Sequence, residues 1–509
     1  MKKILFFIGV FCLFTQFNYS AIIYVTETGA GAMNGTSWAN AYPGNQLQNA
    51  INSALAGDQV WVAGGTYFTT TGTDRTLAFS MKNDVVIYGS FTGTETTLTQ
   101  RDFPCGPTSI LSGGIGTAIN TDNSYQVVRN SMLSDTTAQL NGFVITGGYD
   151  ERSPTLTNGL GGGILNIGSN GNHCLLTLRN CVITNNQSEF GAGIFNDAYN
   201  GGQVYVVIEN CIITNNYATG GGGGIDNFAL SNGNAFCSIT NTLIANNNAD
   251  DAAGAIYCWG GLNGSALVYM VNSTVTNNNV TAGVGGAFVT DRSNNGGGSG
   301  GSSGDANIIL RSSILWGNTA ASGPQFYNYE SGFVEVTNSV IDTVGQSGSN
   351  SLNTGSFGNM IADPLFLNPT TPRGNDNCWM TNDDGYQLSA LSPCLDFSQD
   401  LFNGNDLAFN PRWVGISTDL GAYELVTNNT SIQNADELYL KVYPNPTSEN
   451  LVIESSKDAT FYIFSSIGQI IMSGTLKEGN TNLNLSDLSS GVYYITLQGV
   501  NVSRKIVVN

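Results

Sequence analysis

Asp197 and Asp226 each follow a glycine-rich turn, Gly191-Ala192-Gly193-Ile194 and Gly222-Gly223-Gly224-Ile225, one repeat apart in the chain. Two carboxyls about 5 to 9.5 Å apart across a groove are what glycoside hydrolysis needs, one to protonate the leaving oxygen and one to act on water or sugar. If the turns stack on adjacent coils, the two acids face one groove; as a solvated rim or as turn caps they carry no chemistry. His173, beside Cys174, is the single histidine, so no Ser/His/Asp set and no zinc site can be assembled around it. Lys82 is the only lysine between Lys3 and Lys441, and Arg129, Arg152, Arg179, Arg292 and Arg311 stand at no fixed spacing from acids. A lyase-type base therefore has no evident partners. Asp250-Asp251 and Asp383-Asp384 could help bind calcium, although neither pair has the ligand spacing of an ordered calcium loop. No cofactor is expected, and calcium is the one ion with candidate ligands.

The elements that must position these residues repeat. Asn180, Asn210, Asn241 and Asn272 recur at spacings of 30, 31 and 31, with looser copies at Asn141, Ser312 and Asn338. Apolar residues stand two before (Leu178, Ile208, Ile239, Met270) and three after (Ile183, Ile213, Ile244, Val275). Small residues follow directly (Cys181, Cys211, Thr242, Ser273), and Asn186, Asn216, Asn247 and Asn278 stand six after. Inward positions at −2, +1 and +3 break the period of two of a strand unless the chain bends at the asparagine, which tolerates the left-handed conformation. The asparagines therefore read as corners stacked about 4.8 Å apart, with amides able to hydrogen-bond up the ladder. A glycine column precedes a second strand in each period, from Gly161-Gly162-Gly163-Ile164 to Gly285-Gly286-Ala287-Phe288. A phosphate loop would need a strand-to-helix context that is missing. The expected fold is all-β: a right-handed parallel β-helix with three-sided coils, on the order of 12 of them over ~60 Å between Val60 and Leu425.

Such a rod needs capped ends. Leu47, Ala50, Ile51, Ala54 and Leu55 fall at helical spacing, with Gly57 as a stop, and predict an N-terminal capping helix. A glycine and serine run from Ser293 to Asp305 lengthens one period and reads as a loop bulging from a coil. The order Tyr24-Val25, Gly35-Thr36-Ser37-Trp38, helix, Gly65-Thr66-Tyr67 resembles the entry cap of exported bacterial β-helix proteins. The T-N-N and G-G-A/G-I-x-N phrases resemble the repeats of chlamydial polymorphic outer-membrane proteins. Asp363-Pro364-Leu365-Phe366 and Asp419-Leu420-Gly421-Ala422-Tyr423-Glu424 resemble terminal segments of surface β-helices. Cys378 and Cys394 lie between them, where a disulfide could staple a loop over the last coil. Cys181 and Cys211, on adjacent coils, read as two buried thiols.

After the polar stretch from Val426, alternating apolar sequence predicts a small β-sandwich. Its Val442-Tyr443-Pro444-Asn445-Pro446, Ile467-Gly468-Gln469-Ile470, Ser490-Gly491-Val492-Tyr493 and Lys505-Ile506-Val507-Val508 resemble the type A sorting domain of the type IX secretion system of Bacteroidetes. That resemblance implies engagement of the secretion machinery, then removal of this domain with surface attachment or release. Lys2, Lys3 and the apolar run Ile4 to Phe14 read as a signal peptide, too short to span a bilayer. The expected organisation is 1–20 signal peptide, 21–425 β-helix with its cap, 426–435 linker and 436–509 sorting domain, with no transmembrane segment in the mature chain.

With 37 acidic against 17 basic residues the net charge is −20, which disfavours nucleic acid and anionic lipid. The expectation is an exported rod, secreted or on the outer-membrane surface, acting as an adhesin-like binder of surface or host glycans or of proteins, with catalysis left open. The alternative is a carbohydrate-active β-helix enzyme, a polysaccharide lyase or glycoside hydrolase. Acids and arginines converging on an exposed face beside aromatic platforms would favour it.

Overall fold

A computed structural model describes residues 20–426 and 440–508, apart from 118, 135, 152–158, 294–303, 331, 345–357, 399–403, 413–416, 448, 456–457, 466–469, 487 and 498–499. Residues 1–19 of the expected signal peptide, most of the expected linker and the interior of the glycine-serine run lie outside the described residues. From Ile22 to Ile341 the chain winds as a parallel β-helix. One coil contains His173–Arg179 in sheet 1, Val182–Thr184 in sheet 2, Gln187–Phe190 in sheet 3 and Ile194–Tyr199 in sheet 4. Among the described residues these sheets have eleven, nine, five and seven strands, in that order. The middle coils thus have four sides, not three. The extra side is short, often two residues per strand as at Asn248–Ala249 and Asn279–Val280, and too brief for any periodicity to reveal it.

The corners are where the asparagines stand. Asn180, Asn210, Asn241, Asn272, Ser312 and Asn338 all have φ between 47° and 54°. A second corner, at Asn185, Asn215, Asn246 and Asn277, has φ between 53° and 57°. The main amide ladder is not at the first corner. Asn186, Asn216, Asn247, Asn278 and Asn318, one residue past the second corner, pass Nδ2–H to Oδ1 from coil to coil at 3.0 Å each. They are buried, so each amide must find partners inside, and the identical residue one coil on supplies them. The small column works likewise: the backbone N–H groups of Cys181, Cys211, Thr242 and Ser273 donate to the Sγ or Oγ of the next coil's small residue at 3.0 to 3.5 Å. Cys181 and Cys211 are free and buried, as expected.

The capping helix spans Leu47–Ser53 and buries Leu47, Ala50 and Ile51, while Leu55 lies beyond its end and is exposed. Lys82 Nζ donates to the carbonyls of Asn52 and Ala54 at 2.7 and 2.5 Å, capping the helix C-terminus with a cation. Beside it Trp61 stacks on Phe91, centroids 4.5 Å apart.

The regular coils end earlier than expected. After the bridge of Val340 to Met360, residues 361–425 return along the outer face of sheet 2 as an irregular strap. Met380, Tyr386, Leu407, Ala422 and Tyr423 cover Val182, Ile212 and Leu243, and Leu388, Cys394 and Leu420 cover Ile314 and Val340. Cys378 pairs with Cys105, Cα atoms 5.6 Å apart, and Cys394 is a buried free thiol, so the expected Cys378–Cys394 bridge does not form. The strap brings Cys378 beside a loop 273 residues upstream, a proximity that spacing along the chain cannot disclose.

Arg412 pins the strap. It is fully buried; its Nε donates to Asn241 Oδ1 (2.9 Å) and its Nη2 to the carbonyls of Gly421 (2.7 Å) and Asn272 (3.2 Å). Burial pulls its pKa down, and Asp406, Glu424 and Asp419 push it back up. Residues 440–508 form antiparallel sheets of three and four strands around a separate core containing Leu451, Ile463 and Ile495. Among the described residues no helix is long and apolar enough to cross a membrane.

Candidate functional site

Sheet 4 begins at the glycine column. Gly161, Gly191, Gly222 and Gly285 have φ from 58° to 69°, and a Cβ on Gly222 would press within about 3 Å of Asp226 Cβ and Ile225 O. The turn therefore lies close over the strand it starts. Past the turn, residues alternate. Ile164, Ile194, Ile225, Ile256, Phe288 and Phe326 enter the core, and Asn130, Asn166, Asn196 and Asn227 form a second buried amide ladder at 2.9 to 3.1 Å. The intervening residues face outward in two columns. The first reads Leu165, Phe195, Asp226, Tyr257, Val289, Tyr327, and the second Ile167, Asp197, Phe228, Trp259, Asp291, Tyr329.

Asp197 and Asp226 are thus on the same face but not level. Asp226 sits opposite Phe195, and Asp197 opposite Phe228, a shift of two residues. With ~4.8 Å between strands and ~6.7 Å for two residues, their Cα atoms are about 8 Å apart. Asp226 is only 1% exposed, and its Oδ1 has no hydrogen-bond partner. Burial first, then Asp291 and Asp197, pushes its carboxyl well above the usual carboxylate range. Asp197 is half-buried, accepts from Ser169 Oγ and from the Tyr199 N–H (3.2 Å), and is raised by burial against those bonds.

Asp291 and the aromatic residues went unnoticed in the sequence. Asp291 is buried, accepting from Tyr257 Oη (3.0 Å) and the Ser293 N–H (2.7 Å). Phe195, Phe228 and Trp259 touch in series, centroids 5.8 and 5.1 Å apart, and Trp259 stacks near Tyr257 at 6.2 Å. Trp259 Nε1 donates to Ser293 O (2.9 Å), which fixes the indole. Tyr327 and Tyr329 pair at 4.8 Å. Phe228, Trp259, Tyr327 and Tyr329 remain half-exposed, so an aromatic stripe crosses successive coils with carboxyls between its rings. Numbering each strand from the end of its glycine turn would have found both columns.

The other sequence candidates are dispersed. His173 is exposed at the start of a sheet 1 strand, and Arg179 and Arg311 pair there with Glu209 (2.8 Å) and Glu335 (3.9 Å). Arg292 pairs with Asp305 at 3.6 Å, Arg129 is exposed on the outermost strand of sheet 4, and Arg152 lies outside the described residues. Asp250 accepts from Tyr217 Oη (2.7 Å), and Asp251 is exposed. Asp383 accepts the Asn375 N–H (2.6 Å), and Asp384 accepts the Met380 N–H (2.8 Å) and the Tyr423 hydroxyl (2.7 Å). Asp383 and Asp384 anchor the strap.

Residues 441–509 match the family model described as a secretion system C-terminal sorting domain. No curated protein matches the chain. Among solved structures it is similar to the crystal structure of pectate lyase Pel9A, with 16% identity, a TM-score of 0.43, and coverage of 80% of this chain and 97% of that one. The chain thus carries a type IX sorting domain on a parallel β-helix, and it is exported to the cell surface or beyond.

Proposed function

We propose that this protein is an adhesin-like, surface-displayed rod that binds a polysaccharide along the outer face of sheet 4. The observation that carries this reading is the alternation of aromatic rings and carboxyls up two outward columns, from Phe195 and Asp197 to Tyr327 and Tyr329. The half-exposed rings of Phe228, Trp259, Tyr327 and Tyr329 offer apolar platforms for sugar faces, and the half-buried Asp197 beside them offers an acceptor for a hydroxyl, while the buried Asp226 and Asp291 lie beneath the surface. Sheet 1 also stacks an outward pair, Tyr205 and Phe236 at 4.9 Å, but its charged residues there are spent on each other as ion pairs. A rod suits this task because each coil repeats the platform at a fixed rise.

A second reading, hydrolysis, is favoured by one observation. Asp226 is a buried acid, its Oδ1 unpartnered, whose surroundings favour its protonated form, as a proton donor requires, and Asp197 stands on the adjacent strand of the same face with its Cα ~8 Å away. Against it, a substrate would have to uncover Asp226 to reach it.

The test is a polysaccharide panel offered to the purified chain with and without calcium, read for retention and for released reducing ends or unsaturated product. Retention without product supports the binder. Product lost in both Asp197→Ala and Asp226→Ala supports the hydrolase; product that survives both variants removes this acid pair from consideration. Neither retention nor product rejects both readings.

A further inference from the structure

A cavity of about 180 Å³ lies between sheet 2 and the strap, on a different sheet from the acids of sheet 4. A single water needs only ~10–15 Å³ of such space, so the cavity is well above water size and of the scale of one small ring. Phe103, Phe143, Asn180, Arg373, Asn377 and Trp379 line it, from four separated stretches of chain. The Cys105–Cys378 disulfide joins two of these stretches at the cavity wall. Phe103 is held by Arg101 over its ring at 4.9 Å and by the edge of Phe409 at 5.7 Å.

Arg373 is exposed at this cavity, and among the described residues no carboxylate pairs with it. The nearby Asp376 instead accepts the Cys378 N–H (2.8 Å) and lies 3.9 Å from Cys105 Sγ. In a chain of net charge −20, an unpaired guanidinium beside an aromatic and amide-lined cavity is a selective feature. We propose that this cavity binds a single sugar ring bearing a carboxylate, a uronic-acid-type unit. The Trp379 and Phe103 rings take the apolar face of the sugar, the Arg373 guanidinium takes the carboxylate as a fork, and the Asn180 and Asn377 amides take hydroxyls. The site is independent of the sheet 4 face and stands or falls separately.

The test is titration of the full chain with glucuronate and galacturonate, alongside glucose and the methyl ester of glucuronate, by calorimetry and saturation-transfer NMR. Uronates should bind with Kd on the order of 1 mM, and the neutral sugars at least about tenfold more weakly. Arg373→Gln should erase that difference. Trp379→Ala should remove saturation transfer to the ring protons and Trp379→Phe should restore part of it. An absence of uronate binding, equal binding of neutral sugars, or undiminished selectivity in Arg373→Gln would each overturn the assignment.

Discussion

Asn216 shows how one side chain serves three coils. Its Nδ2 lies 3.0 to 3.2 Å from Ile183 O, Thr214 O and Asn247 Oδ1, and its Oδ1 accepts from the Asn186 backbone (3.1 Å) and side chain (3.0 Å). Asn216→Ala strands buried donors and acceptors on both neighbours and should cost about 2–4 kcal/mol, read as a lowered thermal midpoint. Asp226 is the opposite case, a buried acid with nothing donated to it. Because its pKa is raised in the fold, the native state binds more protons than the unfolded one, and its stability falls as pH rises above ~4. Asp226→Asn removes that penalty, so the midpoint difference between variant and wild type should grow in the variant's favour from pH 4 to pH 8. A constant difference would contradict the burial. At this scale the sequence was legible where a residue's role is conformational: the corner asparagines adopt the left-handed conformation their spacing implied. It was misleading where two acids follow similar turns, because Asp197 stands three residues past Ile194 whereas Asp226 stands one past Ile225.

Among the elements, the coils were readable because each repeats its own pattern, and the strap was not because its pattern is borrowed from the sheet it covers. Arg412 meets Asn241 across 171 residues, and nothing local to either foretells it. Arg412→Ala leaves Asp406, Asp419 and Glu424 buried around a missing cation, a loss of about 3–5 kcal/mol. Limited proteolysis should then cut within 361–425 while the coils stay resistant. The strap's acids add a pH dependence of the same sign as that of Asp226. Burial lifts Asp384 to about 7 and Asp419 to about 6, so the native state favours their protonated forms. Their contribution to strap stability is complete below pH ~4 and is lost as pH rises towards 7. Protection of the strap's amides, taken relative to their intrinsic exchange rate at each pH, should therefore fall across that interval in wild type, and much less in Asp384→Asn.

As a whole molecule, the chain separates construction from address. The coil ladder and the residue 440–508 sheets have separate cores, so removing 441–509 should leave the thermal transition of the coils in place while abolishing appearance at the cell surface. The rod and its sorting domain were both legible, since repeats and terminal motifs are local signals. The ring-and-acid face of sheet 4 was legible only in principle, because its residues become neighbours only once the coils are stacked. The most direct measurement is the affinity of wild type and Trp259→Ala for whichever polysaccharide wild type retains. Loss of the central ring of the stripe should weaken binding about tenfold or more, measured at a temperature where circular dichroism shows both proteins folded. Equal affinity would contradict a binding face on sheet 4.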